Sequence, residues 1–213
     1  MKVASVNCIK DKDMKKQVIG ITGGIGSGKS VVMSILEEKY KACVLLTDLI
    51  AHDLMKPGAA NYNGIVKEFG TEILAENGEI DRKKLGAVVF NNAKKLALLS
   101  SITHPNVIVE TKNRIDAAME NPDYDMVCIE SALLFDTTLP ELCDQTWYVY
   151  ANEEVRIERL IAGRGYTREY CLTVMGKQKK VADDMEKADV IIDNSGAVED
   201  TAAEIEIILH SEI

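Results

Sequence analysis

The sequence predicts an α/β domain of three layers: a parallel central sheet covered by helices, with an inserted helical lobe and a helical lid. Three observations carry that expectation. Short apolar, β-branched runs alternate with helical patterns, as in parallel sheets. The first run leads directly into a glycine-rich turn and a helix, across Gly23–Ser30. A long helical stretch separates the second run from the third, which suggests the inserted lobe.

The elements follow in order. Val18–Thr22 is short, apolar and β-branched, a pattern suited to a buried parallel strand. A helix opens at Ser27 or Gly28, with Val32, Ile35 and Leu36 on its apolar face and Glu37, Glu38 and Lys39 facing water. Cys43–Leu46 is the second strand. "KPG" (56–58) and "ENGEID" (76–81) are turn signals within the helical stretch. Leu85–Leu99 and Asn106–Met119 read as two amphipathic helices, with His104-Pro105 opening the second. "DMVCIE" (125–130) and "TWYVYA" (146–151) are the third and fourth strands. A charged helix over Glu153–Ala162, a loop "GRGYTREY" (163–170), a helix from Arg168, a last strand in "ADVIIDNSG" (188–196) and a helix over Val198–Leu209 complete the chain.

This division gives an N-terminal extension over 1–14 and one unit over 15–213. Its core spans 15–54 and 123–213, its helical lobe about 55–122 and its lid about 160–185. Met14 fits a natural start.

Composition narrows the function. Of the 213 residues, 46% are hydrophobic and 28% charged, as in ordinary globular proteins. The net charge of −9 disfavours bulk binding of nucleic acid. Five cysteines without CxxC spacing argue against a disulfide framework or a zinc site and fit a reducing cytoplasm. No apolar run reaches the ~18 residues of a membrane span, and the N-terminal apolar patch is too short for a secretory signal.

Gly23-x4-Gly28-Lys29-Ser30 matches the phosphate-binding loop pattern in full, in its required strand–turn–helix context. Gly23, Gly24, Ile25, Gly26, Ser27 and Gly28 would turn backbone N–H groups onto phosphate, helped by the helix dipole behind Val31. Lys29 would reach the β- and γ-phosphates, and the Ser30 hydroxyl would ligate Mg²⁺. A glycine-rich turn without a ligand is the plain alternative. Asp48, just after strand two, reads either as a base for an attacking hydroxyl or as a helix N-cap. Glu130 ends strand three on the same sheet edge and reads as a metal partner or a turn contact. Arg156, Arg159, Arg164, Arg168, Lys177, Lys179 and Lys180 crowd one segment, as in a lid over polyphosphate or a solvated face. A guanine-reading Asn-Lys-x-Asp stretch is absent, so a small-molecule kinase fits better than a switch GTPase.

Seven blocks resemble the dephospho-CoA kinase family in order, from Lys16 to about Leu209. They are "GITGGIGSGKS" (20–30), "TDLIAHDLMKPG" (47–58), "FG" (69–70), "GEIDRKKLGAVVF" (78–90), "THPNV" (103–107), "IESALLFD" (129–136) and "ADVIIDNSG" (188–196). The resemblance implies a P-loop kinase fold. It also implies transfer of the ATP γ-phosphate, with Mg²⁺, to the 3′-hydroxyl of dephospho-CoA, the last step of CoA synthesis. On this likeness Gly23–Ser30 would cradle ATP, and Asp48 would take the place of the family's base. Arg82, His104 and Pro105 would belong to the acceptor site, and Asp193 and Asn194 would lie beside adenine.

Three departures accompany the likeness. Leu46 stands where many members carry the first carboxylate of Asp-x-Asp. Glu130, Ala132 and Asp136 replace Asp, Pro and Glu in the third-strand segment. Gly163 occupies a frequent lid-arginine position, which leaves that work to Arg164. The competing functions are another small-molecule P-loop kinase, acting on a nucleoside or nucleotide, and a nucleotide-dependent switch or binding protein. Acceptor-dependent release of ADP separates all three.

Overall fold

The computed structural model describes residues 16–90, 92–178 and 181–211. The expected N-terminal extension, Lys179 and Lys180 lie outside them. Five strands, β1 (Val18–Gly23), β2 (Ala42–Leu46), β3 (Met126–Glu130), β4 (Gln145–Tyr150) and β5 (Val190–Asp193), form an all-parallel sheet in the order β2-β3-β1-β4-β5. The central three strands are buried along almost their whole length, which explains their unbroken apolar runs.

Helices cover both faces. Val32, Ile35 and Leu36 of α1 (Lys29–Tyr40) and Ala202 and Ile205 of α9 (Val198–His210) pack on Ile19, Ile21, Trp147 and Val149. The opposite face, with Val18, Val127 and Ile129, is covered by Ile115 and Ala118 of α5 (Ala93–Glu120). Between β2 and β3 the chain also forms α2 (Thr47–Leu54), α3 (Tyr62–Phe69) and α4 (Arg82–Val89). Ile65, Ile73, Leu85 and Val89 make a separate hydrophobic cluster there, joined by Leu99 and Ile102 of α5. The helices α6 (Glu153–Arg164), α7 (Arg168–Gly176) and α8 (Val181–Lys187) follow β4, and Ile157, Leu160 and Cys171 form their own small core.

The helix pattern of the middle segment differs from the sequence expectation. The expected Leu85–Leu99 helix is broken, and the expected break at His104-Pro105 does not occur. α4 ends at Val89, and Asn92 starts α5 by accepting a hydrogen bond from Lys95 N–H at 3.0 Å. α5 then runs 28 residues, about 42 Å, straight through Pro105. Proline removes the N–H that would bond the Ser101 carbonyl. Pro105 is exposed, so water reaches the gap. Thr103 and Asn106 hydroxyl and amide groups bond the Leu99 and Ile102 carbonyls at 2.9 and 3.3 Å. The two apolar stretches are therefore one rod joining the helical lobe to the sheet.

Among the described residues, no helix is long and apolar enough to cross a membrane.

Candidate active site

β1 delivers the chain to the carboxyl edge of the sheet, at the point where the strand order changes direction. Open α/β sheets bind ligands in that crevice. Ser27 N–H bonds the Gly24 carbonyl at 3.1 Å, closing the glycine-rich turn. Gly28 is the N-cap of α1, one residue later than the earliest expected start, with φ 86° and ψ 32°. A side chain there would be strained and would also strike the Asn194 amide.

Three side chains remote in sequence hold this loop. Asn194, 0% exposed, donates to the Ser27 carbonyl at 2.8 Å and accepts from the Thr201 hydroxyl at 2.9 Å. Arg159 donates to the same Ser27 carbonyl at 3.3 Å. Arg156 donates to the Ile25 carbonyl at 2.8 Å and lies flat against Gly24, where a Cβ would collide with its guanidinium. The turn is thus a braced loop with its own supports.

Lys29, in the first turn of α1, donates to the Gly23 carbonyl at 3.0 Å and faces Glu130 at 3.7 Å. Burial lowers the lysine's pKa, with Glu130 opposing and Arg156 and Arg164 adding to the fall. Burial likewise raises the Glu130 carboxyl above its ordinary value; Lys29 opposes this and the Asp48 charge adds to it. Desolvation outweighs pairing for both partners, so positive and negative groups wait in a poorly hydrated cleft.

The Thr47 hydroxyl bonds the Glu130 carbonyl at 3.0 Å and thereby ties the start of α2 to the end of β3. Asp48 follows, exposed, on the first turn of α2. The N-cap of that helix is Leu46, without a capping side chain, so Asp48 does not serve as the cap. Leu46 pairs with Glu130 in the sheet register, which places the departure from Asp-x-Asp beside the site.

Two cavities flank this centre. One, about 370 Å³, adjoins Gly23 and Gly24 and is bounded by Tyr148, Leu133, Lys177 and Gln178. The other, about 150 Å³, lies between α2, α5 and the exit of β3 and is lined by Asp48, His104, Val107, Ser131 and Leu133. Asp48 and His104 therefore share a cavity. Arg82 lies elsewhere, in a cleft of about 40 Å³ with His52 and Lys56. Pro105 is an exposed mid-helix residue, and the structure does not bring it to either cavity.

The other expected residues separate clearly. Ser30 and Val31 line an open groove with Val198. Asp193 is exposed and accepts the Ser195 N–H at 2.9 Å. Asn194 is an internal brace rather than a surface for a base. Arg168 makes a two-pronged pair with Glu154 at 2.6 and 2.8 Å. Arg164, exposed at the end of α6, makes no ion pair among the described residues and contributes to the field at Lys29. Sequence reasoning missed Tyr148 and Gln178, because strand and helix patterns give no sign of which loop a side chain will face.

Ser30, Glu130 and Asp48 present only hard oxygen donors. Among the described residues, no cluster of three or more His, Cys, Asp or Glu side chains is placed to hold a metal. Mg²⁺ needs no such cage, since it takes one or two carboxylates and fills its shell with phosphate and water. The residues present fit it.

A parallel sheet, a complete braced phosphate loop with its lysine, and a carboxylate at the mouth of a neighbouring cavity define a P-loop phosphotransferase of the small-molecule kinase type. Comparison narrows the class. Residues 17–200 match the sequence profile of the family described as dephospho-CoA kinase. A dephospho-CoA kinase of Carboxydothermus hydrogenoformans is 41% identical over 192 residues, covering 90% of this chain and 92% of that one. The crystal structure of TT1252 from Thermus thermophilus superposes with a TM-score of 0.76 at 28% identity, covering 94% of this chain and 100% of that one. A dephospho-CoA kinase structure from Campylobacter jejuni shares the fold, with a TM-score of 0.61 at 23% identity over 92% and 97% of the two chains. The chain belongs to the dephospho-CoA kinase family.

Proposed function

We propose that Asp48, Lys29 and Arg164 carry this family's reaction, transfer of the ATP γ-phosphoryl group to the 3′-hydroxyl of dephospho-CoA. The products are CoA and ADP, and the step is the last of CoA biosynthesis. One observation supports the assignment of roles. Asp48 lines a cavity that shares Leu133 with the cavity beside the phosphate loop, while its charge acts on Glu130, the partner of Lys29.

ATP phosphates enter the loop at Gly23–Ser30, where the start of α1 and the loop N–H groups other than Ile25, bonded to Gln178, and Ser27, bonded to the Gly24 carbonyl, present positive charge. The acceptor ribose takes the cavity shared by Asp48 and His104. Asp48 accepts the proton of the 3′-hydroxyl as its oxygen attacks phosphorus. The bond to the ADP oxygen breaks in line, and its electron pair leaves with ADP. Lys29 and Arg164 neutralise charge on the group in transit. Mg²⁺, held through Ser30 and Glu130, would supply further positive charge between the phosphates. Arg82, with His52 and Lys56, suits an anionic part of the acceptor further from the reacting hydroxyl. The four described cysteines, Cys43, Cys128, Cys143 and Cys171, are free, which supports a cytoplasmic setting.

The test incubates the protein with ATP, Mg²⁺ and dephospho-CoA and follows ADP and the mass of the acceptor. A gain of one phosphate is expected. Asp48→Asn is expected to lower kcat by about 10²- to 10⁴-fold, the usual contribution of a positioned base, with ATP binding retained. An Asp48→Asn enzyme with wild-type turnover would remove the base assignment. ADP release only with a different hydroxyl acceptor would favour another small-molecule kinase.

A further inference from the structure

Gln178 lies just beyond α7, yet its side chain reaches the phosphate loop. Its carboxamide oxygen accepts two hydrogen bonds: one from Ile25 N–H at 2.9 Å and one from the Arg156 guanidinium at 3.2 Å. Arg156 in turn donates to the Ile25 carbonyl and packs on Gly24. Ile25, Arg156 and Gln178 thus close a ring in which both backbone polar groups of Ile25 are satisfied from outside the loop. The neighbouring Lys177, at the wall of the same cavity as Gln178, has its ammonium 5.8 Å from the ring centre of the exposed Phe90, just beyond α4.

We infer that Gln178 is a positioning residue for the nucleotide loop: its carboxamide fixes the Ile25 peptide and the Arg156 guanidinium, so that the remaining loop N–H groups stay aimed at phosphate. Chemistry supports this more strongly than packing does. Gln178 is exposed, so its bulk fills no core. What it provides is one acceptor oxygen shared by a backbone donor and a charged donor, and hydrogen bonds to charged groups are the stronger kind. A loop with glycines at 23, 24, 26 and 28 has little stiffness of its own. Its geometry must come from outside, and Gln178 supplies the contact at its tip.

The inference rests on the reading of Gly23–Ser30 as the nucleotide loop, and its test has a readout independent of catalysis. Amide exchange of Ile25 is followed by NMR in wild type, Gln178→Leu and Gln178→Glu, alongside calorimetric binding of ATP with Mg²⁺. Leucine keeps the bulk and loses the acceptor; glutamate keeps acceptor oxygens. Exchange at Ile25 should quicken about tenfold in Gln178→Leu and return to wild type in Gln178→Glu, as expected for a bond of ordinary strength. ATP affinity should fall roughly 5- to 10-fold in Gln178→Leu, with KM for the acceptor unchanged. Unaltered exchange in Gln178→Leu, or equally fast exchange in both variants, overturns the inference. Wild-type protein that binds no ATP would instead overturn the phosphotransfer reading.

Discussion

Asn194 and Ser27 stand 167 residues apart in the chain, and the Asn194 amide donates to the Ser27 carbonyl at 2.8 Å inside a fully buried contact. The last strand of the sheet thereby holds the loop that follows the first. The same amide also approaches the Gly28 carbonyl, at 3.4 Å, and its oxygen takes the Thr201 hydroxyl.

Removing that brace should act on stability and on nucleotide binding together. Asn194→Ala leaves the Ser27 carbonyl only its longer bond from Arg159, at 3.3 Å, and the Thr201 hydroxyl only the Ala197 carbonyl, at 3.4 Å. The expected loss is about 1–3 kcal/mol of folding free energy. ATP should bind more weakly in the same variant. Denaturant unfolding and calorimetry on one protein sample measure both.

Gly28→Ala should damage the loop more selectively. The left-handed backbone strains any added side chain by roughly 1–2 kcal/mol, and the new methyl meets Asn194. Nucleotide affinity is expected to fall at least about tenfold, while the secondary structure seen by circular dichroism stays intact. An alanine variant that binds ATP normally would show that the loop relaxes without loss of function.

The pH profile reports on Glu130. Burial, more than any neighbour, raises its carboxyl above the ordinary 4.5, with Asp48 adding and Lys29 opposing. A raised carboxyl regains its proton earlier as pH falls. The ionised form that would hold Mg²⁺ in the proposed mechanism is present on the alkaline side of that raised value and lost on the acid side. The acid limb of kcat/KM should therefore lie above pH 4.5, and the residual activity of Glu130→Gln should lack that limb.

Pro105 offers a test of stability against substrate contact. Alanine restores the N–H that bonds the Ser101 carbonyl within α5. An interior helical proline costs up to ~3 kcal/mol relative to alanine, so Pro105→Ala should stabilise the protein, by about 1 kcal/mol or more. Unchanged KM for dephospho-CoA would separate Pro105 from the acceptor site, and a raised KM would place it there. Thermal unfolding and initial rates give the two answers.

Local patterning alone made much of the architecture legible. The apolar runs marked all five strands to within one or two residues, and most plainly the central three, because a strand buried on both faces has to be apolar throughout. The phosphate loop was legible because its chemistry demands specific residues at fixed spacing within one strand–turn–helix unit. The Pro105 signal drew a helix boundary to His104-Pro105, where α5 in fact continues. Proline's effect depends on whether its missing bond faces water, which is a tertiary fact.

What the sequence by itself determined is the chemistry available: a loop for phosphate, a lysine, hard oxygen donors and a basic segment, each set by residues close together in the chain. Tertiary structure alone decided how these are shared out. It put Asn194 under the loop instead of at its surface, spent Arg168 on Glu154, left the charge of Arg164 acting on Lys29, and brought Gln178 to Ile25. Those outcomes depend on burial and on distances between segments that are, except for Arg168 and Glu154, more than a hundred residues apart. Side-chain type carries no record of either, because the same amide or guanidinium serves as brace or as ligand according to what the fold places beside it.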